Sequence, residues 1–311
     1  MNIFSKFQIK VIEACGNIGE ALFLEPFLFE RKKNLTVRKN LQYQDGKRSK
    51  RKTLDLYYLD DKRKKPVFLF IHGGGFVCGR KETKKYYCYH YARAGYFVVN
   101  INYEYGYNFS FPSNIQQALK AFEYIFDNQD EYDLDLDNIV LAGDSAGAYI
   151  ASYIPVLNSF KGLYESLNLS FKYKDRLKIK ALVLISGLYD LKEALRAKFP
   201  CYKLMYAAFS GNSPKDVKAA LVSRERDVYS TLDKITGDYP QTVIITSKSD
   251  PLKACSFSLD KTLNQHDIQH QLYICNTGFS IFHSGGINVK RGDGKTALEG
   301  TLKFLDTVIS K

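Results

Sequence analysis

Two glycine-rich stretches of this 311-residue chain carry groups able to do acyl-transfer chemistry: His72-Gly73-Gly74-Gly75-Phe76, and Ser145 within Gly143-Asp144-Ser145-Ala146-Gly147. A serine with glycine at both second neighbours, set between an apolar run and a helix-like run, suits a strained strand-to-helix turn that lifts the hydroxyl clear of the backbone. The triple glycine offers backbone N–H groups with no side chain in the way, which is what a developing oxyanion needs. Together they point to acyl transfer on a serine.

A serine hydroxyl needs an adjacent base, itself oriented by a third group. The chain has five histidines. His72 adjoins the triple glycine and suits holding that loop by hydrogen bonding. His90 falls in a Tyr-rich helical stretch, and His266 and His270 flank the start of the last strand. His283 follows that strand, in the loop Gly278–Gly285 before the final helix, where a base reaches the serine from the carboxyl edge of a sheet. The orienting carboxylate is expected between serine and base in the chain, and Asp250, in Ser249-Asp250-Pro251-Leu252 after an apolar strand, meets that order. Its competing reading is a turn or helix-capping Asp. Asp144 lies in the elbow itself, so it is expected to support the loop together with His72.

These groups need a frame. Leu35–Tyr43 and Lys52–Leu59 read as an antiparallel pair around the turn at Asp45-Gly46. Val67–Ile71, Phe97–Ile101, Ile139–Ala142, Ala181–Ile185 and Thr242–Ile245 are short apolar runs suited to central parallel strands buried on both faces. Helices are expected at Thr83–Ala94, Asn114–Phe126, Ala146–Leu157, Ala254–Gln265 and Lys295–Val308. This alternation predicts an α/β fold: one domain over 1–311, with a mostly parallel sheet of about eight strands flanked by helices. Residues 1–34 and 188–238 break the alternation and are expected to form a helical cap, with Phe199, Tyr202, Tyr206 and Phe209 as cap core or substrate contacts.

Forty-five per cent hydrophobic residues suffice for a full core, and the net charge is +12. The charge clusters at Lys47–Lys52 and Lys62–Lys65, read as solvated turns in preference to phosphate contacts, and no nucleic-acid motif accompanies them. Six cysteines are scattered without Cys-x-x-Cys or metal-ligand spacing, so neither zinc nor a disulfide framework is expected, and a reducing cytoplasm is the simplest location. Lys6, Lys10, Glu13 and Glu20 interrupt the apolar N-terminus, which excludes a clean signal-peptide core or spanning helix there. Ile3, Phe4, Phe7, Val11 and Ile12 nevertheless recur at helical spacing, so this helix either packs over the pocket or lies on a membrane surface.

The two motifs, with Leu54-Asp55-Leu56-Tyr57-Tyr58, Asn102-Tyr103, Phe111-Pro112, Asp250-Pro251-Leu252 and His283, make the chain similar to the hormone-sensitive-lipase-like esterases of the α/β-hydrolase superfamily, from about Leu54 to the C-terminal helix. The resemblance implies Ser145 as nucleophile, His283 as general base and acid, and Asp250 as orienting acid. It implies the N–H groups of Gly74, Gly75 and Ala146 as oxyanion hole, and the helical cap. The chain departs from the family where Asn102-Tyr103-Glu104-Tyr105-Gly106-Tyr107 replaces the usual Asp-Tyr-Arg-Leu-Ala-Pro-Glu, and where Ala148 and Ala254 replace a glycine and an acid. The aromatic stretch Tyr103 to Phe111 is its own, expected to narrow the pocket mouth or pack on the cap.

The expected activity is a serine carboxylesterase acting on small, short-chain acyl esters without metal or cofactor. Amidase, peptidase or sugar-ester deacetylase chemistry on the same triad, and a non-catalytic binding protein on the same scaffold, are the alternatives. The expected partner is the ester substrate alone, with no nucleic acid and no stable membrane insertion; the resemblance leaves room for a homodimer paired through sheet edges.

Overall fold

The computed structural model describes residues 3–19, 29, 31–32, 34–46, 48–197, 199, 201–216, 226–278, 282–290 and 292–309. The other parts of the two expected cap segments, and Phe279 to Ile281 of the loop before His283, lie outside the described residues.

The elements in chain order are α1 (Ile3–Gly19), β1 (Leu35–Gln42), β2 (Thr53–Leu59), β3 (Lys65–Ile71), α2 (Lys85–Arg93), β4 (Phe97–Ile101), α3 (Ser113–Asp127), β5 (Leu134–Asp144), α4 (Ala146–Ser159), α5 (Gly162–Ser166), β6 (Ile179–Ile185), α6 (Leu191–Arg196), α7 (Tyr202–Ser210), α8 (Arg226–Tyr229), β7 (Gln241–Ser247), α9 (Lys253–Gln265), β8 (His270–Cys275) and α10 (Gly292–Val308). The helix expected from Thr83 opens instead as a 3-10 turn at Lys81–Thr83.

The eight strands form one sheet in the order β1-β2-β4-β3-β5-β6-β7-β8. The β1–β2 and β2–β4 pairs are antiparallel and all others parallel. Successive side chains of a strand alternate between faces, so each apolar run feeds two cores. Val67, Leu69 and Ile71 join Leu141, Leu182 and Leu184 on the face carrying α3, α4 and α9. Phe68, Phe70, Val140, Val183 and Val243 join α2 and α10 on the other. Burial on both faces explains why these runs are uninterrupted rather than alternating.

Register places the chemistry. Ile71 pairs with Gly143, and Asp144 with Ile185, so β3, β5 and β6 end side by side. The triple glycine, Ser145 and Ser186 therefore emerge together at the carboxyl edge, while β7 ends beside β8 with Ser247 against Cys275.

Over that edge, the inner side of α1, Ile9 and Ile12, packs with Val77 and Cys78 against Leu204, Met205 and Ala208 of α7. Of the aromatic stretch, Tyr103, Tyr105 and Phe111 pack on neighbouring residues and do not line the cavity. Tyr103 stacks on His72, Tyr105 accepts a hydrogen bond from Asn17 Nδ2 at 3.4 Å, and Phe111 meets Phe209 and Tyr229. Among the described residues the six cysteines form no disulfide. Among the described residues, no helix is long and apolar enough to cross a membrane.

Candidate active site

Ser145 joins β5 to α4 with φ 51° and ψ −116°, a left-handed conformation that costs a non-glycine residue of order 1–3 kcal/mol and is kept only where neighbours enforce it. The enforcement is visible. Its N–H donates to Ile185 O at 2.8 Å, and a Cβ on Gly147 would collide with the carbonyls of Ile71 and His72. Glycine at 147 thus lets α4 start flush against the end of β3.

His283 Nε2 lies 2.8 Å from Ser145 Oγ, and His283 Nδ1 lies 2.8 Å from Asp250 Oδ1. A carboxylate only accepts, so Nδ1 carries the ring proton and Nε2 is left to accept the serine hydroxyl. Asp250 is buried, and its Oδ1 also accepts the Leu252 N–H at 2.8 Å, so the turn role read from Asp250-Pro251 and contact with His283 coexist in one side chain. Burial by itself pushes this carboxyl up. The hydrogen bond and charge of His283, the Ser186 hydroxyl and the Leu252 N–H outweigh it, and the pKa ends below the ordinary Asp value. Phe199 caps the imidazole edge-on at 5.0 Å between ring centres.

Gly74 and Gly75 have φ +118° and +59°, which glycine alone adopts without strain. Gly74 O takes the N–H groups of Val77 and Cys78, curling the loop into a tight turn. No described residue accepts a bond from the N–H of Gly74, Gly75 or Ala146. His72 is fully buried, with Nδ1 2.6 Å from Gly73 O and its ring stacked on Tyr103 at 4.5 Å. Asp144 Oδ1 accepts the Gly73 N–H at 2.9 Å, and its Oδ2 lies 3.4 Å from Lys84 Nζ. The remaining histidines lie elsewhere: His90 sits on α2, His266 caps α9, and His270 meets Asp260 at 3.1 Å.

Three contributors escaped the sequence reading. Ser186, with φ +53°, accepts the Ser284 N–H at 3.1 Å and bonds Asp250, tying the His283 loop to the carboxylate. Its position directly after an apolar strand was the available signal. Lys84 was hidden in a basic helix start. Lys81 is buried and bonds Asp55 and Asn40 at 2.8 Å and Glu82 at 2.9 Å, bracing the turn that follows the triple glycine.

Ser145 and His283 open into a cavity of about 540 Å³ lined by Gly74, Gly75, Leu188, Phe199, Tyr202, Met205, Tyr206, Leu252 and Ile287, among others. Phe199, Tyr202 and Tyr206 thus contact the cavity, whereas Phe209 packs with Phe76 and Tyr149 in the core. Burial pushes the Cys275 thiol up to about 11 and Cys255 to about 12, so neither is a thiolate near neutral pH. Among the described residues, no group of His, Cys, Asp and Glu is arranged to hold a metal ion.

A serine on a strained turn after the fifth strand, with an Asp–His pair delivered by the loops after the seventh and eighth, defines the α/β-hydrolase fold. More particularly, residues 54–260 match the BD-FAE family model, and the chain belongs to that family. It is 30% identical over 206 residues to an acetyl esterase of Salmonella dublin, covering 63% of this chain; it spans about three fifths (59%) of that relative's length. Esterase B of Lactobacillus rhamnosis superposes with a TM-score of 0.83 at 18% identity, covering 99% of this chain and 96% of that one. A bacterial heroin esterase superposes with a TM-score of 0.72 at 19% identity, covering 94% and 90%. At these identities the two structures speak for the fold.

Proposed function

We propose that the chain is a serine carboxylesterase acting on small, short-chain acyl esters. The observation that carries this reading is the unbroken relay from Ser145 Oγ through His283 to Asp250, beside three backbone donors with no described acceptor. Ser145 Oγ attacks the ester carbonyl while His283 Nε2 takes its proton. The carbonyl oxygen, now negative, accepts N–H groups of Gly74, Gly75 and Ala146, so the electrophile is activated by fixed dipoles that need no rearrangement. His283 gives its proton to the departing alkoxide, leaving Ser145 acylated. Water then enters and its oxygen bonds to the acyl carbon as His283 takes a proton from it; the bond to Ser145 Oγ breaks, His283 returns the proton to Oγ, and the carboxylic acid leaves. Asp250 stays ionised throughout, holding the ring and offsetting its charge.

His72 and Asp144 support the triple-glycine loop in this reading. Residues 1–34 and 188–238 act as the cap, α1 and α7 closing the cavity against water. Phe199, Tyr202, Met205 and Tyr206 make a compact, largely apolar wall suited to short acyl groups. The similarity to the acetyl esterase of Salmonella dublin agrees with this size.

The test is hydrolysis of p-nitrophenyl acetate, butyrate, octanoate and laurate by the wild type and Ser145→Ala. The expected result is a rate highest on the short chains and absent from the variant. Turnover persisting in Ser145→Ala refutes the assignment, and a folded protein inactive on every ester points to an amide substrate or to binding alone.

A further inference from the structure

Two sequence features that the site does not use meet on one surface. The first is the outward side of α1. Phe7, Val11 and Ile18 are 63%, 44% and 56% exposed, although Ile9 and Ile12 of the same helix are packed against the cap. At about 100° per residue these three project within roughly 40° of one another, a single apolar stripe on the outside of the molecule.

The second is the basic turn before β2. Arg51 forms an ion pair with Glu13 of α1 and lies over the Tyr105 ring, 4.2 Å from its centre, while Asn17 of α1 bonds the same tyrosine. Lys10, Glu13 and Asn17, at i, i+3 and i+7, share the helix flank facing the turn. Lys10 on that flank, and Arg48 and Lys50 in the turn that Arg51 ties to it, are exposed. An apolar stripe therefore runs beside a row of cations.

We propose that this face docks the protein on an anionic lipid surface, with Phe7, Val11 and Ile18 entering the boundary between headgroups and acyl chains and Lys10, Arg48 and Lys50 meeting the headgroup phosphates. Charge selects this occupant. A second copy pairing through the same face about a two-fold axis would set cations against cations, in a chain of net charge +12. A nucleic acid would satisfy the cations and leave the stripe in water. The stripe is too short to hold the protein without them, since stable attachment takes both an apolar and a basic signal.

The inner side of the same helix borders the cavity. Gly16 of α1 packs so closely on Cys78 that a Cβ there would lie 2.8 Å from its sulfur, and Cys78 and Met205 line the cavity. Phe282, 56% exposed, lines it too. The helix that carries the exposed stripe therefore packs its opposite side against the cavity wall. This proposal does not rest on the esterase reading, because its test reads binding alone.

The experiment is co-sedimentation of the full chain with large unilamellar vesicles, made either of phosphatidylcholine or of phosphatidylcholine and phosphatidylglycerol in equal parts. Binding is expected on the mixed vesicles, at least about tenfold weaker on phosphatidylcholine, and weakening as salt is raised. Two triple variants, Phe7→Ser/Val11→Ser/Ile18→Ser and Lys10→Ser/Arg48→Ser/Lys50→Ser, should each lose about tenfold or more in affinity with an unchanged circular dichroism spectrum. No binding of the wild type to mixed vesicles overturns the proposal, as does equal binding by the apolar variant. A dimer in sedimentation velocity that the apolar variant converts to monomer, without vesicle binding, assigns the face to a second copy instead.

Discussion

Asp144 Oδ1 accepts the backbone N–H of Gly73 at 2.9 Å, joining the serine turn to the triple-glycine loop across 71 residues of chain. A Cβ on Gly73 would stand 2.7 Å from the Asp144 carbonyl oxygen and 3.0 Å from Ser145 Cβ. The serine and the proposed oxyanion donors are therefore held as one unit, and nothing larger than glycine fits between them.

Gly73→Ala should then reduce kcat on p-nitrophenyl acetate by about 10²-fold, the order of loss expected when reacting groups shift by about an ångström. Stopped assays beside a thermal melt separate this from unfolding. An active, normally stable Gly73→Ala protein would show that loop and elbow are not coupled.

Asp250→Asn should lower kcat by about 10⁴-fold, since an amide no longer fixes the imidazole tautomer. Stability carries a second signature. The folded pKa of Asp250 lies below its unfolded value of about 3.9, so the stabilising contribution of the carboxylate is complete above that value and is lost as pH falls through the lower folded one. Urea midpoints of wild type and Asp250→Asn should keep a constant gap from about pH 5 to about pH 4 and converge below it. A gap unchanged in stronger acid contradicts the depressed pKa.

Ser186→Ala removes the hydroxyl that bridges the Ser284 N–H and Asp250. Expected are a loss of about 1 kcal/mol in stability and a roughly tenfold fall in kcat with KM unchanged, because the group acts through Asp250 and the His283 loop without touching substrate. A raised KM with kcat intact would place Ser186 in binding instead.

Lys81→Met should destabilise the fold by roughly 3–5 kcal/mol, since it strands the buried Asp55 carboxylate without its cation. Chemical denaturation measures this directly. Loss below about 1 kcal/mol would mean that the Tyr57 hydroxyl and the Asn40 N–H suffice to satisfy Asp55.

Met205→Ala enlarges the cavity wall next to Gly75, whose Cβ would stand 2.6 Å from the Met205 sulfur. The preferred p-nitrophenyl ester should move from acetate or butyrate toward octanoate. An unchanged chain-length profile would exclude this wall as the limit on acyl length.

The sequence alone determined the sheet and the serine turn, because both are written in neighbouring residues. A strand buried on both faces must be continuously apolar, and a strained strand-to-helix turn tolerates only small flanks, so Val67–Ile71, Ile139–Ala142 and Gly143–Gly147 could be read without knowing their partners. His283 and Asp250 were singled out by chain order, while their 2.8 Å contacts are made across 138 residues to Ser145 and 33 to each other. Tertiary structure alone decided what depends on facing elements. It placed Ser186 against Asp250, buried Lys81 against Asp55, and sent Phe209 to the core while Phe199, Tyr202 and Tyr206 reached the cavity. It also divided α1, where helical spacing marks apolar residues without saying which are covered: Ile9 and Ile12 pack against the cap, and Phe7, Val11 and Ile18 stay exposed. Burial is a property of what lies opposite a residue, and one chain read end to end does not contain it.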